Sequence, residues 1–306
     1  MVNSRLYLPQ DWCSDKKRCK KGGVPKSEQI YRSKPELALE MIQEMTGQVH
    51  YDWVGGDSIY GNSRALRQGL QTLQQLFVMD TGENQGVYLE HPRPYIPASK
   101  AGRGRHKSRY VSDAKVVKVG DLLSTLPDEQ WKTFTYRKGT KGPLTRQVVV
   151  LDVWLWPARE ATDKVETLRL IISRNVDKTQ VKYSLTNDIS LNQRRLSDWG
   201  ALYRQMQRYW VERGIQDCKD VIGMTEYQVR GWRAWHHHIT LTIMALHYML
   251  EQKVLHEEEV PLLSCPDIKF FFALTLPRKI SSSQEVWTMI QKRHEQRMAD
   301  LQRYED

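Results

Sequence analysis

The sequence predicts an α/β fold with an antiparallel β-rich insertion and a helical C-terminal part. Three observations carry this. Helix, strand and helix patterns follow one another between Ser33 and Phe77. Four strand-like runs, separated by turns rich in Gly, Lys, Asn and Asp, fill the stretch from Trp131 to Leu185. From about Leu191 onward the apolar spacing is helical. The corresponding divisions are 1–115, 116–190 and 191–306.

A chain of 306 residues can bury a substantial core, and its formal charge of +10 is spread along the length. A diffuse basic surface suits a polyanion, most often nucleic acid; the plain alternative is a basic protein with no such partner. The cysteines, Cys13, Cys19, Cys218 and Cys265, form no C-x-x-C pair and no zinc spacing, so reduced thiols are expected. Nothing resembles a signal peptide, and the apolar run Ile239–Leu250 is too short to cross a bilayer.

Residues 1–35 read as irregular and basic, with a positive cluster of Lys16, Lys17, Arg18, Lys20 and Lys21 before Gly22-Gly23. That cluster is either a solvated loop or a phosphate contact. Ser33 fits an N-cap, with Pro35 in the first turn and a helix to about Thr46. His50–Asp57, aromatic and β-branched and ending in Gly55-Gly56, reads as a buried strand that presents Asp57 at its carboxyl end. That end is where open α/β sheets place their sites; an Asx-turn or helix-capping aspartate is the competing reading. A helix is expected over Ser63–Phe77, with Leu66, Leu70, Leu73 and Phe77 facing inward. Gly86–Glu90 reads as a strand. Gly102–Lys107 reads as a basic loop, with Arg103, Arg105 and Lys107 as backbone contacts or plain surface.

Strands are expected at Trp131–Tyr136, Gln147–Trp156, Thr167–Arg174 and Gln180–Leu185. Helix follows, then a turn at Gly223 and a long helix from Trp232. That helix contains His236, His237 and His238, which point about 100° apart and do not share one ion; one packed inward and two outward is the expectation. Ser282 and Glu285 are spaced as a capping box before a basic amphipathic helix reaching about Tyr304.

The most informative stretch is Arg208–Lys219, RYWVERGIQDCK. Val211, Ile215, Cys218 and Ile222 share one apolar stripe, and Arg208, Glu212 and Lys219 share a narrow arc beside it, at spacings of four and seven. Arg213, Asp217 and Asp220 fall on the expected solvated back. An acid between two bases at the margin of a buried face is either a surface ion-pair set or part of a site.

With these pieces the chain resembles the DDE transposases of bacterial insertion sequences, which have the ribonuclease-H-like fold. The resemblance rests on W-V-x-G-D-x-x-Y-G at Trp53–Gly61, on R-x-x-x-E-x-x-x-x-x-x-K at Arg208, Glu212 and Lys219, and on E-Y-Q-V-R-G-W-R-A-W-H-H-H-I-T-L at Glu226–Leu241. Arg5–Pro9 and the segments Leu262–Cys265 and Leu274–Pro277 are also similar, so the likeness runs over nearly the whole chain. It implies that Asp57 is the second acidic metal ligand and Glu212 the third, with Arg208 and Lys219 as the basic partners of the helix. It also implies Arg230 and Arg233, with the basic residues named above, as DNA contacts. Gln205 stands where the family's fuller motif has a tyrosine, with Tyr203 nearby. The family's first aspartate precedes the segment matching Arg5–Pro9, and Asp11 and Asp15 do not fit its role. The chain is therefore expected to be an N-terminally truncated copy with an incomplete core, lacking the first catalytic aspartate, and to cleave DNA weakly or not at all on its own.

The implied chemistry is hydrolysis of a phosphodiester followed by 3′-hydroxyl attack on target DNA. Two Mg²⁺ or Mn²⁺ ions are expected in the complete enzyme. The implied partner is double-stranded DNA, both transposon ends and target, engaged as a homodimer in a bacterial cytoplasm. Three other readings stay open. One is a non-catalytic DNA-binding remnant. Another is an unrelated metal nuclease, which requires a third acid near Asp57 and Glu212. The last is an interaction domain, which would leave those two acids far apart.

Overall fold

A computed structural model describes residues 2–98, 108–139, 142–158, 161–189, 195–276 and 282–305. It divides into two compact units, Met1–Leu246 and His247–Asp306. The expected contacts Arg103, Arg105 and Lys107 lie outside the described residues.

The first unit is a mixed α/β structure around one sheet, consistent with a ribonuclease-H-like core. It begins with two short helices, α1 (Gln10–Ser14) and α2 (Lys16–Lys21), where irregular chain was expected. At five and six residues they are too short to leave an apolar periodicity. What anchors α2 is its cap, with Asp15 accepting from the Arg18 N–H, and its one buried side chain, Cys19. Helix α3 (Lys34–Met45) starts as expected: Ser33 and Glu36 form a complete capping box, and Pro35 sits in the first turn.

The strand expected over His50–Asp57 is only β1 (Val54–Gly56), a half-buried edge strand. After α4 (Ser58–Gly61) comes α5 (Arg64–Thr72), capped by Ser63. This helix stops well before Phe77. Gln74 turns left-handed at φ 52°, and the N–H groups of Gln74 and Gln75 return to the Gln71 and Leu70 carbonyls, closing a Schellman motif. Phe77, which sits in phase with the helix stripe, instead opens β2 (Phe77–Asp80), parallel to β1 with Val54 opposite Phe77.

β3 (Gly86–Tyr88) and β4 (Val116–Lys118) form the far edge, followed by α6 (Val119–Leu122). β5 (Lys132–Gly139), β6 (Gly142–Leu155), β7 (Glu166–Asn175) and β8 (Val181–Thr186) match the expected strands closely. They join the same sheet, in the order β1-β2-β8-β7-β6-β3-β4, with β5 also paired to β6. Among the described residues only β1 and β2 pair in parallel; the remaining ladders are antiparallel.

Alternation along the strands divides the interior into two layers. Phe77 and Met79 join Leu66, Leu70, Leu168, Leu170, Ile172 and Leu185 in one core. Val78 and Ile171 join Ala201, Leu202 and Met206 of α7 (Asp198–Met206) in the other. By the same period of two, Asp80 follows Val78 onto the α7 side, as does Ser173 following Ile171. Helix α8 (Arg208–Asp220) comes directly after α7. A glycine turn at Gly223, φ 86°, precedes α9 (Trp232–Leu255).

The second unit contains the end of α9, then α10 (Cys265–Thr275) with a Ser264–Asp267 capping box, and α11 (Ser283–Glu305). The expected box at Ser282 and Glu285 forms, each backbone N–H meeting the other's side chain. None of the helices formed by described residues is long and apolar enough to cross a membrane.

Candidate active site

Both parallel strands end in an aspartate. After β1, Asp57 caps α4: its Oδ1 accepts from the Ile59 N–H at 2.9 Å. The capping reading is therefore realised, and it leaves the second carboxylate oxygen without a protein partner among the described residues. At the end of β2, Asp80 points toward α8. Gly61 lets α4 approach the end of β2 closely, because a Cβ there would lie 1.9 Å from the Asp80 carbonyl oxygen.

Asp57, Asp80, Arg208 and Glu212 line one cleft of about 540 Å³, walled also by Trp53, Tyr60, Val211 and Ile215. A shallower, more open groove of about 340 Å³ between α3 and β1 carries no charged residue and is not a candidate for ionic chemistry. Within the cleft the Arg208 guanidinium joins two acids. Its Nη1 donates to Asp80 Oδ2 at 2.5 Å and its Nη2 to Glu212 Oε1 at 2.8 Å. Burial works to lower the Arg208 pKa. The Asp80 hydrogen bond and the charges of Asp80, Glu212 and Asp57 outweigh it and hold the guanidinium above its ordinary value. Any stability from this raised pKa is complete at neutral pH and is lost only as pH rises past the arginine range. Burial, with a smaller push from the Asp57 charge, raises the Tyr60 pKa.

Asp80 was not expected as a site residue. It lies on a strand whose first residue, Phe77, was expected to end the preceding helix, and its sequence signal is an acid closing the apolar run Leu76–Met79. It is anchored from behind. The Ser184 hydroxyl donates to Asp80 Oδ1 at 2.7 Å, and the Gln205 amide donates to Ser184 at 2.9 Å. Gln205 in turn accepts from the Ser173 hydroxyl at 2.6 Å. Ser173, Ser184 and Gln205 are buried.

Helix α8 is oriented differently from the expectation. Asp217, placed on the solvated back, is buried and pairs with Arg213 at 3.1 Å. Val211 and Ile215, placed on the buried stripe, are 60% and 36% exposed and face the cleft instead. The helix packs into the protein through Asp217 and Cys218, and the first two residues of its apolar stripe, Val211 and Ile215, serve as cleft wall. Lys219 is exposed and does not line the cleft, so the structure does not bring it to Arg208 and Glu212.

The basic residues near the N-terminus come together with part of the α9 entry. The Trp232 N–H donates to the Gly22 carbonyl at 2.8 Å, joining the end of α2 to the segment carrying Arg230 and Arg233. Lys16, Lys17, Arg18, Lys20, Lys21, Arg230 and Arg233 are all exposed. Arg18 rests over the Trp12 ring at 4.2 Å.

The three histidines do not converge. His236 meets the Trp232 carbonyl and His238 the Met224 carbonyl, both half-buried, while His237 is exposed. Among the described residues there is no group of three or more His, Cys, Asp or Glu able to hold a metal ion.

No curated protein matches the chain. A family model does, over a stretch that includes Asp57 and Asp80 and ends before Arg208 and Glu212. Residues 1–143 match the model of the DDE superfamily endonucleases.

Proposed function

We propose that the chain carries the phosphoryl-transfer site of a DNA transposase, cutting DNA strands and joining them in the cleft between the β1 and β2 ends and α8. The observation that supports this most is the convergence of Asp57, matched by the endonuclease family, with Glu212, far outside the matched stretch, in one cleft. The donor chemistry fits a hard divalent cation. Asp57 and Glu212 each present one carboxylate oxygen with no protein partner among the described residues. Mg²⁺ takes oxygen ligands, keeps several waters, and is commonly held by one or two carboxylates with substrate phosphate. When bound there, Mg²⁺ or Mn²⁺ supplies Lewis-acid stabilisation of the charge that builds up on the phosphate.

The residues have separable tasks. Asp57, fixed by its cap to α4, is the rigid acid, and Glu212 the acid whose placement depends on a neighbour. Arg208 balances the negative charge of the cleft and keeps one guanidinium for Asp80 and Glu212 together. The exposed surface of α2, with Arg230 and Arg233, is the DNA backbone contact, and the +10 charge favours approach of the polyanion. Lys219, exposed on α8 outside the cleft, is the contact for a strand-end phosphate. Assembly as a homodimer on DNA belongs to this reading.

Nicking of supercoiled plasmid in Mg²⁺ or Mn²⁺, with chelator as control, tests it. Weak metal-dependent nicking by the chain, lost in Glu212→Ala, is the expected result. DNA binding that falls steeply with salt while no strand is cut would replace it with the reading of a DNA-binding remnant.

A further inference from the structure

We propose that Asp80 is the positioning residue of this cleft: through Arg208 it sets where the Glu212 carboxylate stands. The proposal rests on the reading of the cleft as a phosphoryl-transfer site and adds a residue to it. Glu212 has little else to hold it. Its side chain is 64% exposed, and its one bond among the described residues is to Arg208, four residues earlier on the same helix. A pair of that kind on an open helix face restrains its members weakly, because both long side chains must be ordered to make it. Here the arginine is not free to wander. Its other edge is bonded to Asp80, whose side chain is only 16% exposed, and Asp80 has both oxygens committed, one to Arg208 and one to Ser184.

Behind Asp80 the chain of bonds continues into rigid structure. Ser184 lies in β8, Ser173 in β7, and Gln205 of α7 touches both, with its amide also donating to the Ile171 carbonyl. All three are at most 2% exposed. The sheet therefore fixes Asp80, Asp80 fixes the guanidinium, and the guanidinium offers Glu212 a stationary donor. A planar fork with two usable edges is what lets arginine do this; lysine offers a point charge. Gln205, where the family's motif has a tyrosine, uses both donor positions and the acceptor of its amide in this buried network, donating to Ser184 and the Ile171 carbonyl and accepting from Ser173.

Two measurements on the full chain decide the proposal. The first follows the ¹⁵N-labelled Arg208 guanidinium by NMR, with its signal assigned by loss in Arg208→Lys. Slow guanidinium rotation is expected in the wild type and in Glu212→Gln, and its loss in Asp80→Asn. Ser184→Ala, a milder change one bond further back, is expected to give partial loss. Thermal unfolding identifies any variant that fails to fold. The second is Mn²⁺-dependent plasmid nicking. Asp80→Asn is expected to lower kcat by about 10- to 100-fold with KM for DNA nearly unchanged. The same substitution is expected to have little effect in an Arg208→Lys background, since its route to Glu212 is already cut. A guanidinium that stays ordered in Asp80→Asn overturns the proposal. So does an equal loss of nicking in both backgrounds. If the wild type does not nick at all, the phosphoryl-transfer reading fails, and the NMR result alone decides whether Asp80 positions Arg208.

Discussion

At the scale of single residues, the cleft is built from contacts of very different visibility. Arg208 and Glu212 announce themselves by a helical spacing of four, and they do bond. Asp57 is legible as an acid after two glycines. Asp80 is not, because a lone acid closing a four-residue strand has no periodicity of its own, and Phe77 happens to fall in phase with the helix before it. The helix is stopped by Gln74 in a left-handed conformation, where glycine would have marked the boundary. Gly61 was visible only as part of a motif; its physical task appears in three dimensions. With the Asp80 carbonyl 1.9 Å from where a Cβ would sit, Gly61→Ala must push β2 and α4 apart. Equilibrium urea unfolding is expected to show a loss of about 1–3 kcal/mol, in line with other overpacked sites. A change within the error of the measurement would mean that α4 and the end of β2 can separate freely.

At the scale of elements, the long strands were legible and the short pieces were not. β5 to β8 run six to fourteen residues, enough for alternation and turn chemistry to show. α2 and α4 are held by the side-chain caps of Asp15 and Asp57, and α1 by its buried Cys13, which composition does not reveal. The orientation of α8 was misread because its stripe was assumed to face a core, whereas Val211 and Ile215 line a cleft. What joins the elements is also hidden from sequence. Arg67 of α5 makes a two-point bond to Glu166 of β7, at 2.9 and 3.1 Å, across 99 residues of chain, and both side chains are buried. Arg64 approaches the same carboxylate at 3.5 Å. Glu166→Gln therefore leaves buried guanidinium charge without its counter-ion. A loss of about 3–5 kcal/mol is expected in chemical denaturation. A loss below about 1 kcal/mol would show that water reaches the arginines in the variant.

At the scale of the whole molecule, the sheet gathers residues that are far apart in sequence into one place. Parallel pairing of β1 and β2 sets two aspartates side by side at the carboxyl ends of strands, where α/β sheets concentrate their chemistry. The long antiparallel stretch that follows returns the chain across the sheet, so that α7 packs on the face Asp80 points toward and α8 brings Arg208 and Glu212 to the cleft. The α/β class, the antiparallel strands and the helical ending followed from patterning alone. The union of all eight strands in one sheet did not, because register and strand order depend on contacts between distant segments.

The central claim is that Asp57 and Glu212 act as one site. It is tested most directly by comparing Mn²⁺-dependent plasmid nicking by Asp57→Asn, Glu212→Gln and the double variant, each shown to be folded. If the acids serve the same step, each single substitution brings nicking to background and the double variant is no worse. Nicking that survives either substitution, or single losses that multiply in the double variant, would contradict the account.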